Sequence, residues 1–487
     1  VIEDVILQEK LEPSISLTIE DIYQEFINSK IDMINGLLPI SEIQYDTKMQ
    51  EAVNLFLDYK LDEAFEIFKT LAEKGNGRAM YFIGEYYDNS FGGVKRDKNL
   101  AEKWRVKGKE VGDVLASLNV AYSMPKASTE REQIFKNMFE QVLHLALQGD
   151  VFAQNEIAEM YKWGYGTIVD ENETKRWLHK SAEQGYWRSI NDLGNYYWEK
   201  QEYSDALKWY HLNADKGNPI SQNAIGNCYY FGQGVEMDFY KAVYWYQKSA
   251  EQMFDWGIRN LAYMYQSGKG IEQDYEKAMS LYKKAYELGN ASAACEIGRM
   301  YSFGEGVSVD DDKEFLWTKR SAEMGYAMGK NNLANCYFYG RGTEKNYDEA
   351  YKLYLSSAEQ GEAWGQYNLS WCLANGYGCA KDEKLAFEWC KKATEQGLVA
   401  AQNRLGLYYD KGIGVEEDSA RAFEWYQKAA ENGSSWGQSN LAICYWNGQG
   451  TQVNVELAKK WAIKSAEQGN QTAIEHLEEW FGIKYTS

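Results

Sequence analysis

Proline is scarce: only Pro13, Pro39, Pro125 and Pro219 stand in 487 residues, so little interrupts helices. Histidine is equally scarce, at His144, His179, His211 and His476. No apolar run approaches the length of a membrane span, about 18 residues, so membrane insertion is not expected. Positive charge is in deficit, with 52 Lys and Arg against 72 Asp and Glu and a formal charge of −20. Such a surface repels phosphate backbones, which argues against nucleic acid as a partner and leaves a protein or peptide. Hydrophobic residues make up 45% of the chain and aromatics 15%, which excludes a disordered one.

The seven cysteines show no paired Cys-x-x-Cys spacing of a zinc site. Cys228, Cys336, Cys372 and Cys444 fall in one column of the repeat described next, on a face expected to be buried, where thiols act as small hydrophobes. Cys379 and Cys390 are placed to approach Cys372. Reduced thiols point to a cytoplasmic location. The chain begins at Val1 without methionine, so a removed leader is not excluded.

The tetrapeptide Ala-Glu-x-Gly, or a close relative, ends at Gly75, Gly149, Gly185, Gly217, Gly289, Gly325, Gly361, Gly397, Gly433 and Gly469, with Gly112 and Met253 in the same place in two weaker copies. From Gly217 to Gly469 every step is 36 residues; earlier steps are 37, 37, 36 and 32. Within each copy, small and apolar residues recur at helical intervals, as in Ala401, Leu405, Gly406 and Tyr409. A Gly-x-Gly pair (Gly232/Gly234, Gly304/Gly306, Gly412/Gly414) should end the first helix and turn the chain. It repeats between helices, with no preceding strand and no following Lys-Ser, so it is not read as a phosphate loop. Asp or Asn four residues on (Asp238, Asp274, Asp310, Asn346, Asp382, Asp418, Asn454) suits a cap of the second helix. That helix carries Ala and then Trp, as in Ala206/Trp209, Ala242/Trp245, Ala386/Trp389, Ala422/Trp425 and Ala458/Trp461, the indole expected to fill the gap between neighbouring repeats.

Residues 401–433, running Ala-x-x-x-Leu-Gly-x-x-Tyr-x-x-Gly-x-Gly-Val and then through Asp418, Ala422, Trp425, Tyr426 and Ala429-Ala430-Glu431 to Gly433, resemble the Sel1-like repeat, a longer relative of the tetratricopeptide repeat. The resemblance extends over roughly residues 50–487. It implies an all-α fold, a right-handed superhelical solenoid of about twelve helix-turn-helix repeats, used by relatives as an adaptor or assembly platform.

The expected organisation is an N-terminal arm and capping helix over 1–46, irregular repeats over 47–149, regular repeats over 150–469, and a C-terminal capping helix over 470–487. The copy from Arg188 to Gly217 lacks the Gly-x-Gly pair, so Trp198 to Tyr203 should form a tighter turn. Pro125 and polar residues 126–132 stand where another turn belongs, so the array is expected to bend or divide near 114–150.

Convergent catalytic groups are not found: there is no Ser-His-Asp pattern, His-Glu-x-x-His or nucleophile elbow. The chain is therefore read as non-enzymatic, with no cofactor and no metal. A metal-assisted hydrolase built on His179 and His211, six residues before successive terminal glycines, is the enzyme alternative.

The informative surface is the face made by the first helices, which in solenoids lines a concave groove. Relative to the core Leu or Ile of each first helix, positions −5, −2, +2 and +5 share one side. They include Asn191, Asn195, Asn223, Asn227, Asn331, Asn335 and Asn403, aromatic Tyr263, Tyr367 and Trp371, and the cations Arg259 and Arg299. Asparagine offers a donor and an acceptor to an extended backbone, aromatics offer pockets, and arginine receives carboxylates. The expected function is a scaffold holding a protein or peptide along this face. The alternative is an antidote wrapping a basic toxin domain.

Overall fold

The computed structural model describes residues 45–484 apart from 90, 96, 126 and 127. The expected N-terminal arm and most of its capping helix lie outside them. The described residues form 25 α-helices and one 3₁₀ turn, Phe91–Gly93, with no strand. They divide into two compact units between Gly257 and Ile258.

Most helices have 13 residues and pair as the repeat pattern requires. In one copy, Val399–Lys411 ends at Gly412 in the left-handed region, and Asp418 caps Ser419–Glu431 by accepting from the Arg421 N–H. The second turn glycine is constrained twice. Gly414 has φ +70°, and a Cβ there would sit 2.0 Å from the Glu383 carbonyl oxygen of the preceding repeat. The turn therefore stacks repeats as well as reversing the chain.

Two ladders of side chains tie helices together. Ser181, Ser249, Ser321, Ser357 and Ser465 each donate to the carbonyl that opens their own repeat's first helix, at 2.7–2.8 Å. Gln154, Gln222, Gln366 and Gln438 accept from the glutamine that ends the second helix, at 2.7–2.8 Å. The same four donate to a carbonyl near the end of the previous repeat's second helix, at 3.1–3.4 Å. Each bond is worth about 1 kcal/mol net, but a buried amide left without one costs more.

The ring expected to fill the inter-repeat gap is not the one most deeply placed. Trp177 and Trp209 are buried, but Trp245, Trp389, Trp425 and Trp461 are half-buried. Lysine ammonium groups lie over Trp389 at 4.0 Å, Trp425 at 4.1 Å and Trp461 at 4.6 Å. The buried ring is the next residue, Tyr246 or Tyr426, because the small Gly226 or Gly406 faces it: a Cβ there would meet the ring at 2.5 or 2.7 Å. All four cysteines of the predicted column are buried, all seven are free, and the Cys379 thiol donates to the Cys372 carbonyl.

The shortened copy turns over three residues, with Gln201 at φ +62°. Helix Thr129–Leu147 bridges the degenerate copy because Arg131 does the work of the missing turn. Its Nε donates to the Ala121 carbonyl at 3.2 Å, and its guanidinium lies over Phe135 and Tyr165 at 4.9 and 5.1 Å. The N-terminal unit also curls on itself. Phe56 packs on Phe152 at 6.1 Å and Trp187 at 5.9 Å, and Arg188 reaches Glu85 at 2.8 Å across 103 residues of chain. Helix Gln471–Phe481 packs on the repeat before it, Trp480 stacking on Trp446 at 4.7 Å.

Candidate partner-binding face

First helices of successive repeats lie side by side, and the predicted asparagines lie among them. The amides do not all face outward. Asn191 and Asn331 are only 5% and 3% exposed. Asn191 accepts from the Ser221 hydroxyl, and Asn331 accepts from Asn368 at 2.9 Å. Asn403 accepts from Asn440 at 2.9 Å. One position further along, the amide serves its own repeat: Asn195, Asn227 and Asn335 accept from the hydroxyls of Tyr210, Tyr246 and Tyr354 at 2.9, 2.7 and 2.6 Å. Asn223 is half-buried and also has a partner.

The two predicted arginines share one carboxylate. Arg259 pairs with Glu296 at 3.1 Å, and Arg299 pairs with Glu296 and Glu305, both at 2.9 Å. Tyr263 lies half-buried below Arg259, 5.8 Å from ring centre to guanidinium carbon.

Tyr367 and Trp371 are brought together by a residue outside the predicted set. Arg404 stacks 3.5 Å above the Tyr367 ring and 4.7 Å from Trp371, and donates to the Tyr367 carbonyl at 2.8 Å. Trp364 meets Tyr367 edge-on at 5.8 Å. Trp364 and Trp371 remain 41% and 38% exposed, and Trp436, further along the array, 60%.

The residues missed by sequence reasoning form a column of their own, one before the core Leu or Ile: Glu156, Asp192, Glu296, Asn332, Asn368, Arg404 and Asn440. Each of the last six reaches, or is reached from, the residue 37 positions earlier. A polar residue beside a buried Leu in nearly every copy was the available signal.

In the N-terminal unit the first helices Gly77–Asn89, Val114–Ser123, Val151–Trp163 and Trp187–Glu199 converge on a cavity of about 590 Å³. Glu85 is held there by Arg105 at 3.0 Å, Arg188 at 2.8 Å and the Asn119 amide at 2.9 Å. Burial raises its carboxyl, but the two arginines outweigh that and leave it below the usual range. Burial pushes Glu156 up to about 7 and Asp192 to about 6, Arg188 countering only part of it.

His179 accepts or donates at the Tyr197 hydroxyl, 3.2 Å away, and meets Trp209 edge-on at 5.3 Å; His211 meets Trp245 edge-on at 5.5 Å. Among the described residues no group of three or more His, Cys, Asp or Glu is arranged to hold a metal ion, and no helix is long and apolar enough to cross a membrane.

The Sel1 repeat model matches residues 77–104, 151–186, 189–218, 219–252, 257–290, 291–326, 327–362, 365–398, 399–434 and 437–470. The chain belongs to the Sel1 repeat family. Its all-α architecture of repeated helix pairs is that of Sel1 proteins. A protective antigen present in uropathogenic Escherichia coli strains, displaying an SLR fold, is 30% identical, with 87% of this chain and 91% of that one covered and a TM-score of 0.49. A Sel1 repeat protein from Oxalobacter formigenes is 29% identical over 63% of this chain and 90% of its own, with a TM-score of 0.44. A protein of Acanthamoeba polyphaga mimivirus described as sel1-like repeat-containing is 32% identical over 84 residues, which span 17% of this chain and only 16% of the viral protein.

Proposed function

We propose that this Sel1 protein is a non-enzymatic scaffold that holds a protein or peptide segment along the face formed by its first helices. The observation that carries the reading is the cluster of Trp364, Tyr367, Trp371 and Arg404. Two large indoles stay partly exposed, Trp371 beside a guanidinium already fixed by stacking and by a backbone bond, and Trp364 against the Tyr367 ring on which that guanidinium stacks. Exposed tryptophan beside ordered arginine is the composition of an interface hot spot, since little side-chain freedom remains to be lost on binding. In this reading Tyr367 and Trp371 touch the partner. Arg259, Arg299 and Tyr263 offer a second contact region. Asn191, Asn195, Asn223, Asn227, Asn331, Asn335 and Asn403 line the face with amides that chiefly hold helices in register.

The test is affinity capture with the full chain, compared with a Trp364→Ala/Trp371→Ala variant. Partners enriched by the parent protein should lose at least about tenfold in affinity for the variant, with unchanged circular dichroism and melting. Equal binding by both proteins would overturn the assignment.

A further inference from the structure

We propose that the cavity between helices Gly77–Asn89, Val114–Ser123, Val151–Trp163 and Trp187–Glu199 is a binding site for an organic cation, the guanidinium or alkylammonium group of a basic side chain or polyamine. The site lies in the other compact unit from the Trp364–Arg404 cluster and stands independently of it.

The argument is one of charges and partners. Five carboxylates line the cavity, those of Glu85, Asp88, Glu156, Glu159 and Asp192, against three cations, Arg105, Lys162 and Arg188. Both arginines are committed: Arg105 to Glu85 and Asp88, Arg188 to Glu85. Glu156 and Asp192 have no ion pair among the described residues. Glu156 is only 6% exposed and accepts one bond, at Oε2, from the Tyr122 hydroxyl at 3.2 Å. Asp192 accepts one bond, from the Asn155 amide at 3.2 Å. Glu156 is buried and Asp192 half-buried; a carboxylate withdrawn from water needs a cation or several donors to remain charged, and here one neutral donor serves each.

The cavity can supply what is missing only from outside. At about 590 Å³ it falls within the size range of small-ligand sites. No group of three or more potential metal ligands is arranged to hold a metal among the described residues, so a bare divalent ion is a poor fit. Tyr122, Tyr165 and Trp163 add aromatic walls, which favour an organic cation. The raised pKa of Glu156 and Asp192 agrees with an unfilled demand for positive charge.

The experiment is calorimetric titration of the full chain at pH 8 and low salt. The probes are acetyl-Gly-Arg-Gly-amide, the same peptide with citrulline for arginine, and spermidine. Saturable binding of the arginine peptide or spermidine is expected at one site per chain, the tighter of the two identifying the source of the cation. The citrulline peptide should bind at least about tenfold more weakly, as should either cation to a Glu156→Gln/Asp192→Asn variant. That variant removes charge that has no ion pair, buried at Glu156 and half-buried at Asp192, and should melt no lower than the parent, which separates loss of binding from loss of fold. Equal binding to the variant, equal binding of citrulline, or no saturable binding to the parent would each refute the site.

Discussion

Glu156 offers a direct measure of how much the fold gives up to keep a carboxylate in its inner cavity. In the folded chain burial moves its pKa from 4.5 to about 7, because Glu85 and Glu159 add to the desolvation cost and Arg188 offsets only part of it. Since the folded state holds the proton more tightly, the unfolded chain releases its proton first as pH rises. Stability is therefore lost between pH 4.5 and about 7 and is level above that. At about 1.4 kcal/mol per pH unit, the interval amounts to about 3 kcal/mol. Glu156→Gln keeps the size and an acceptor for the Tyr122 hydroxyl but carries no charge. The Tyr122 bond is already contained in the shift, so the variant, which does not titrate, should gain about 3 kcal/mol at pH 8. At pH 4.5, where the parent is itself protonated, the two proteins should be nearly equal. Urea unfolding at pH 4.5, 6, 7 and 8 measures the difference, with hydrogen exchange in helices Val151–Trp163 and Trp187–Glu199 locating it. A variant less stable than the parent at pH 8, or a difference independent of pH, would show that Glu156 is satisfied by partners other than those described.

Three further outcomes test the repeat itself. Gly414→Ala should destabilise by at least about 2 kcal/mol, because it combines left-handed backbone with a Cβ clash against the Glu383 carbonyl; Gly433→Ala, at φ +88° with nothing within 4 Å, should cost only about 1 kcal/mol. Chemical unfolding of the two variants side by side decides whether inter-repeat stacking is a separate demand. Asn335→Ala deprives the buried Tyr354 hydroxyl of its acceptor and should cost about 1–3 kcal/mol, read as a lowered melting temperature. In the native protein at pH 8, a thiol-specific disulfide reagent should modify Cys379 first. The other six cysteines are buried, and burial holds thiols such as Cys228 and Cys390 at about 12; rapid reaction of two or more thiols would contradict the packing.

The helix boundaries were legible because each rests on one residue type in a fixed place. Gly412 ends a helix, Asp418 starts the next, and both act through their own backbone or the adjacent turn. The Trp column was misjudged because a period identifies a buried stripe but not which of two adjacent aromatics, Trp425 or Tyr426, meets the facing Gly406; that depends on the angle between paired helices. The asparagine column was placed on the right helices but credited with free amides. A spacing of 37, one more than the repeat, couples Asn331 to Asn368 and Asn403 to Asn440. Such a coupling is invisible to a search aligned on the repeat itself.

The same −1 column divides structural from unsatisfied positions. Where it carries asparagine or arginine, as at Asn368, Asn440 and Arg404, the side chain finds an acceptor on the preceding repeat and fastens the helices. Where it carries an acid beside Arg259, at Glu296, the charge is paired. At Glu156 and Asp192 it carries acids without an ion pair among the described residues, where four first helices of the N-terminal unit line one cavity. A column otherwise used to fasten repeats there costs stability. Replacing both acids by their amides should thus raise stability at neutral pH and abolish cation binding together. A protein that gained stability yet bound the arginine peptide unchanged would show that the charges serve neither purpose.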